Sequence, residues 1–97
     1  MGDFQTMTTV AFDVDGCLIY LTGEKEDCPR YEVIQLFLLY EKFGYDLFIW
    51  SGGGVDYAER FRLRLGLNAK VVPKNSFIPD IAVDDEIVNL GKVNLKV

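Results

Sequence analysis

The chain has only two cysteines, Cys17 and Cys28, in 97 residues. This number excludes a disulfide scaffold, and it favours free thiols in a reducing compartment over a bridge between the two. The first residues lack both the basic and the apolar stretch of a secretory signal. The longest apolar run, 33–40, is interrupted by Gln35 and is too short to span a bilayer. The sequence therefore predicts a cytoplasmic protein without a membrane partner.

Basic residues are also scarce, because 10 lysines and arginines stand against 15 acids, for a formal net charge of −5. A nucleic-acid-binding surface needs a basic stripe, so nucleic acid is not the expected partner. A phosphorylated substrate is still compatible with this charge, because a bound metal ion can reverse the local sign of a site. The hydrophobic fraction of 49% is ample for one globular domain over 1–97.

The chain does contain an alternation of strand-like and helix-like patterns. Apolar strand-like runs occupy 8–13, 45–50, 70–73 and 80–85, and helical spacing covers 31–43 and 55–65. Gly44 and Gly66 follow the two helical segments, where helix C termini often need glycine. This order predicts an α/β, Rossmann-like fold with three layers, in which helices flank a small, mainly parallel sheet. In the ambiguous tail, 86–97, an edge strand could form at 95–97.

The connection between the third and fourth strands is unusually short. Parallel strands normally need a crossover of about a dozen residues, yet only 74–79 separate these two runs. Either the third strand is abbreviated and the loop crosses the sheet diagonally, or the fourth strand pairs differently.

Polar residues end or follow all four predicted strands: Asp13 and Asp15, Ser51, Lys74, and Asp84 with Asp85. The carboxyl ends of parallel strands meet at one edge of a sheet, where α/β proteins hold their ligands. Residues i and i+2 of an extended chain point the same way, so the first two carboxylates should crowd each other, which raises a pKa unless a cation or a hydrogen-bond network compensates. The sequence therefore predicts a site for Mg²⁺ and a phosphate at this edge.

These residues, in this order, resemble the haloacid dehalogenase superfamily of phosphohydrolases. The first motif of that family is two acids separated by one residue after an apolar strand, here within 12–18, and its second is the serine or threonine that ends the next strand. A lysine and then an acidic pair complete the set, and the resemblance covers about residues 10–86. Cys17 replaces the usual threonine of the first motif, and we interpret it as structural and not as a second nucleophile.

The resemblance implies a Mg²⁺-dependent phosphatase that acts through an aspartyl-phosphate. It implies that Asp13 is the nucleophile and that Asp15 protonates the leaving oxygen and later activates water. The metal ligands would be the Asp13 carboxylate, the Asp15 backbone carbonyl and Asp84.

The remaining motif residues would handle the phosphoryl group. The Ser51 hydroxyl and the Gly52 amide would hydrogen-bond its oxygens at the start of the second helix. Lys74 would bind the group and neutralise its charge during transfer, which makes it both a phosphate-binding and a catalytic residue. Asp85 would orient Lys74 or a metal-bound water from outside the metal's ligand set.

Many superfamily members carry an inserted cap domain, but 20–30 and the turn at Gly54 leave no room for one. The resemblance therefore implies a minimal, capless member with an open site. Such a site suits a phosphorylated macromolecule, or a small phosphorylated molecule enclosed by a second subunit of a homo-oligomer.

Three alternatives are compatible with parts of this pattern. A non-catalytic module on the same fold would bind Mg²⁺ and phosphate without turnover. A receiver domain of the response-regulator type would need an acid after the third strand, where this chain has none. A purely structural interaction domain would have no reason to place polar groups at four strand ends.

Overall fold

A computed structural model of the protein describes residues 7–97. The elements in chain order are β1 (Thr9–Asp13), α1 (Tyr31–Lys42), β2 (Asp46–Trp50), α2 (Val55–Leu65), β3 (Lys70–Val71), β4 (Ile81–Asp84) and β5 (Val93–Lys96). Residues 1–6, on which the expected absence of a secretory signal depends, lie outside the described residues. Neither α1 nor α2 is long and apolar enough to cross a bilayer.

The five strands form one all-parallel sheet in the order β3-β2-β1-β4-β5. The chain runs outward from β1 to β3, returns to the other side of β1, and continues outward through β4 to β5. The strand order therefore reverses between β1 and β4, and open α/β sheets bind ligands beyond the carboxyl ends of strands at such a point. Phe12 pairs with Val83 in this register, so the next residues, Asp13 and Asp84, are neighbours at the two strand ends.

Both helices pack on one face of the sheet. Alternate residues of β1 and β2 form this face and join one hydrophobic cluster with buried residues of both helices: Val10, Phe12, Leu47, Ile49, Val33, Phe37, Ala58 and Phe61. The rings of Phe12 and Phe37 lie 5.2 Å apart at its centre. The α/β prediction is confirmed. A second helical layer is not present within residues 7–97, because the connections 72–80 and 85–92 contain no helix.

The connection 72–80 covers part of the opposite face of the sheet. The Phe77 ring lies 4.7 Å from the ring of Phe48 and 5.6 Å from that of Trp50, which is only 1% exposed. The sequence analysis offered two explanations for the short connection between the third and fourth strands. The first is confirmed, because β3 has only two residues and the connection from β3 to β4 crosses the sheet. The predicted edge strand is also confirmed, although it begins two residues earlier, at Val93.

Replacing Phe77 with alanine should lower the free energy of unfolding by about 2 kcal/mol, because a half-buried aromatic contact is lost. Urea unfolding measures this as a lower midpoint at an unchanged slope. Ile78, the next residue, is the matched control. Its side chain is 72% exposed, so Ile78→Ala should change the free energy of unfolding by less than about 0.5 kcal/mol. Equal effects of the two substitutions would show that Phe77 does not close this face.

Candidate functional site

An open cleft of about 280 Å³ lies at the carboxyl edge of the sheet. All seven site residues predicted from the sequence line it: Asp13, Asp15, Ser51, Gly52, Lys74, Asp84 and Asp85. Leu21, Gly53 and Glu86 complete its wall. Four separate connections of the chain therefore contribute to one concave surface, as the strand-end pattern predicts.

Three carboxylates crowd together in this cleft. Asp13, Asp84 and Asp85 each offer an oxygen, and these oxygens all lie within 4.8 Å of one another. Asp13 is 7% exposed and Asp84 is 3% exposed, so water screens their charges poorly. At an effective dielectric constant of about 20, two unit charges at this separation repel by on the order of 3 kcal/mol. The arrangement requires positive charge nearby.

Lys74 supplies one such charge. Its ammonium nitrogen lies 3.2 Å from Oδ1 of Asp13 and 3.3 Å from Oδ2 of Asp84, and it donates a hydrogen bond to each. Burial acts to lower the pKa of Lys74, but the two carboxylates outweigh it and raise that pKa above its ordinary value. Lys74 is therefore fully charged at neutral pH.

One lysine does not balance the cluster. Burial raises the pKa of Asp13 to about 6, with Lys74 acting against this shift and Asp84 adding to it. Burial also raises the pKa of Asp85, and its hydrogen bond to Asp84 and that residue's charge add to the increase. When ionised, the three carboxylates carry three charges against the single charge of Lys74, the only basic residue lining the cleft in the described part of the chain.

The donor set fits a hard divalent cation. Three carboxylate oxygens are the ligand type that Mg²⁺ prefers, and two positive charges would offset the two that Lys74 leaves unbalanced. Asp85, which the resemblance places outside the ligand set, lies close enough to the other two to be a direct ligand as well. The predicted role of the Asp15 carbonyl as a metal ligand stays a prediction.

Asp15 is not one of the three carboxylates whose oxygens lie within 4.8 Å of one another, so the charge crowding in that cluster does not depend on the i and i+2 spacing. The strand ends at Asp13, and the chain then turns through Gly16, whose φ of 74° is left-handed. The Asp15 carboxylate is directed instead toward the first turns of α2, where Tyr57 donates a hydrogen bond to its Oδ1. The carboxylates that crowd Asp13 come from the end of β4 and from the residue after it.

The segment 51–54, which holds the predicted phosphate-binding residues Ser51 and Gly52, forms a tight turn into α2. The Gly53 amide donates to Oγ of Ser51 at 3.0 Å, and the Gly54 amide donates to the Ser51 carbonyl at 3.1 Å. Because the Ser51 Oγ accepts a bond, its own proton is available for a ligand in the cleft. The start of α2 adds the partial positive charge of a helix N-terminus, which favours an anion.

The loop after β1 is held from two sides. The buried Cys17 thiol donates to the carbonyl of Val83 at 3.6 Å, and Arg30 donates to the carbonyl of Gly16. Burial raises the pKa of Cys17, so the thiol is not ionised at neutral pH, in agreement with a structural role. Both Cys17 and the exposed Cys28 are free, as the cysteine content predicts.

The hydrogen bond from Tyr57 to Asp15 is the contact of a candidate site residue that the sequence analysis missed. The position of Tyr57 in the helical pattern is that of a core residue, and its ring does contact Phe61, with centroids 5.0 Å apart. The available signal was its place in the first turn of a helix that begins at the carboxyl edge of the sheet.

Comparison of the chain with protein-family models, with curated proteins and with solved structures finds no match.

Proposed function

We propose that the protein is a Mg²⁺-dependent phosphohydrolase with a Rossmann-like fold of the haloacid dehalogenase type. The observation that carries the proposal is the meeting of Asp13, Lys74 and Asp84 in the cleft that Ser51 also lines. A carboxylate nucleophile, a fixed ammonium group and a serine at a helix N-terminus together suit phosphoryl transfer through a covalent intermediate.

In the first step, the substrate phosphoryl group binds to the Ser51 hydroxyl, the Gly52 amide and the Lys74 ammonium group. Asp13 then attacks phosphorus, so that an oxygen–phosphorus bond forms as the bond to the leaving oxygen breaks. With a pKa of about 6, roughly nine tenths of Asp13 is ionised at pH 7, and no separate base is needed. The product of this step is an aspartyl-phosphate.

Asp15 has two tasks in this scheme. In its protonated form it gives its proton to the leaving oxygen in the first step, and as the resulting carboxylate it takes a proton from the water that attacks the aspartyl-phosphate in the second, which restores the protonated form. The second step releases inorganic phosphate and returns Asp13 to its starting form. Asp15 can serve both steps because it lines the cleft outside the cluster of three carboxylates.

The cluster itself would hold the metal through Asp13, Asp84 and Asp85. When bound, Mg²⁺ supplies positive charge that reduces the repulsion between a carboxylate nucleophile and a phosphate dianion. Without it, the acids of the cleft would disfavour every phosphorylated ligand. We therefore expect catalysis to depend completely on the metal.

The open cleft suits a phosphorylated macromolecule, or a small phosphorylated molecule covered by a second subunit. Glu86 and Asp85 on the wall disfavour polyanions, so nucleic acid is not the proposed partner. The loop 22–30 contributes no residue to the described lining, and Leu21 is the contribution from that side.

The proposal is tested by the hydrolysis of 4-nitrophenyl phosphate with Mg²⁺, and with EDTA in its place. We expect turnover with the metal and a loss of at least about a hundredfold without it, restored by adding Mg²⁺ back. Turnover that ignores EDTA would contradict the mechanism. Mg²⁺ binding by calorimetry without turnover on a broad panel of phosphate esters would instead assign the non-catalytic module.

A further inference from the structure

We propose that Tyr57 positions the general acid Asp15 and thereby determines how well the enzyme cleaves esters with poor leaving groups. This inference rests on the proposed phosphatase function. The Tyr57 hydroxyl donates to Oδ1 of Asp15, 42 residues away in the sequence. Oδ2 of Asp15 is then the oxygen left to serve the leaving group.

Packing contacts hold the Tyr57 ring in place, so that its hydroxyl can position the Asp15 side chain. The ring packs against Phe61 on the same helix, with ring centroids 5.0 Å apart. A Cβ placed on Gly53 would lie 3.2 Å from the ring, so the turn proposed to bind phosphate also approaches it closely. The hydroxyl is therefore positioned by the same turn that would hold the phosphoryl group. Its hydrogen bond in turn positions the Asp15 side chain relative to that group.

Tyr57 is a donor throughout the neutral range. Burial, followed by the hydrogen bond to Asp15 and the charge of that carboxylate, raises its pKa to about 12. Its protonated phenol can fix one oxygen of Asp15 by donating to it, while Tyr57 is not among the described residues that line the cleft. Tyr57 is thus a positioning residue and does not itself touch the reacting atoms.

This role makes a selective prediction for Tyr57→Phe, which keeps the ring and removes the hydroxyl. Protonation of the leaving oxygen matters for alkyl phosphates and hardly for 4-nitrophenyl phosphate, whose leaving group departs as a stable anion. We expect kcat/KM to fall about tenfold for an alkyl phosphate and less than about twofold for 4-nitrophenyl phosphate. A merely structural role for Tyr57 would lower both by the same factor.

Two further variants complete the test. In an Asp15→Asn background, Tyr57→Phe should have no additional effect on alkyl phosphates, because the group it positions is already absent. Tyr40→Phe removes a hydroxyl from the aromatic cluster around Phe12 and should leave the ratio of the two kcat/KM values unchanged. An equal loss of kcat/KM on both substrates, or additive losses in the double variant, would overturn the role of Tyr57 and leave the phosphatase proposal in place. Absence of Mg²⁺-dependent turnover in the wild type would overturn the phosphatase proposal and this one with it.

Discussion

Replacing Asp13 with asparagine should lower kcat by at least about a thousandfold and abolish the phosphorylated intermediate. The amide cannot supply the anionic oxygen that attacks phosphorus. Asp84 lies beside Asp13, but both of its oxygens already accept hydrogen bonds, Oδ2 from Lys74 and Oδ1 from the Glu86 amide, so it is a poor replacement for the nucleophile.

Loss of activity in Asp13→Asn should not come from unfolding. The raised pKa of Asp13 means that its charge is unfavourable in the metal-free protein, so a neutral isostere should leave the melting temperature unchanged or higher. Rapid-mixing kinetics and acid-quench detection of phosphoenzyme measure the catalytic effect.

Asp46→Asn is the matched control for Asp13→Asn. Asp46 begins β2, at the amino end of the strand and away from the cleft. Its Oδ1 lies 3.3 Å from the ammonium nitrogen of the exposed Lys70. The same change of charge at this position should leave turnover intact. Turnover by Asp13→Asn above a few percent of the wild-type rate would contradict the role of Asp13. Either another residue would form the covalent bond to phosphorus, or the reaction would involve no covalent intermediate.

The location of the site could be predicted from the sequence because parallel strands deliver their carboxyl ends to one edge. Asp13, Ser51, Lys74 and Asp84 each end or follow an apolar run, and that fact alone brings them together once the sheet is parallel. The helix α2 was also predictable to the residue, from its helical spacing and from Gly66, which closes it at a φ of 69°.

What the sequence could not predict depends on distances between side chains. The i and i+2 rule pointed to Asp15, whereas Asp84 and Asp85 supply the carboxylates within 4.8 Å of Asp13, and β1 stops at Asp13. The contact between Tyr57 and Asp15 joins two elements whose relative rotation is set by the whole core. The single helical layer follows from the crossing of 72–80 over the sheet, which composition does not reveal.

Gly16→Ala should disturb the carboxylate cluster without removing any of its charged groups. The new Cβ would lie 2.1 Å from Oδ2 and 2.6 Å from Cγ of Asp85, so that carboxylate would have to move. Its backbone φ of 74° adds a cost of about 1 kcal/mol for any residue with a Cβ. Because Asp85 is one of the three carboxylates of the cluster, its displacement should weaken Mg²⁺ binding.

Gly23→Ala separates these two effects of Gly16→Ala. Gly23 has a similar φ of 90°, but a Cβ there would meet no atom within 4 Å. Both variants should lose about 1 kcal/mol from the backbone, whereas only Gly16→Ala should raise the dissociation constant of Mg²⁺, by about tenfold. Chemical unfolding and calorimetric titration with Mg²⁺ measure the two quantities independently. If Mg²⁺ binds equally well to both variants, Asp85 does not contribute to the metal site, and the ion depends on Asp13 and Asp84 alone.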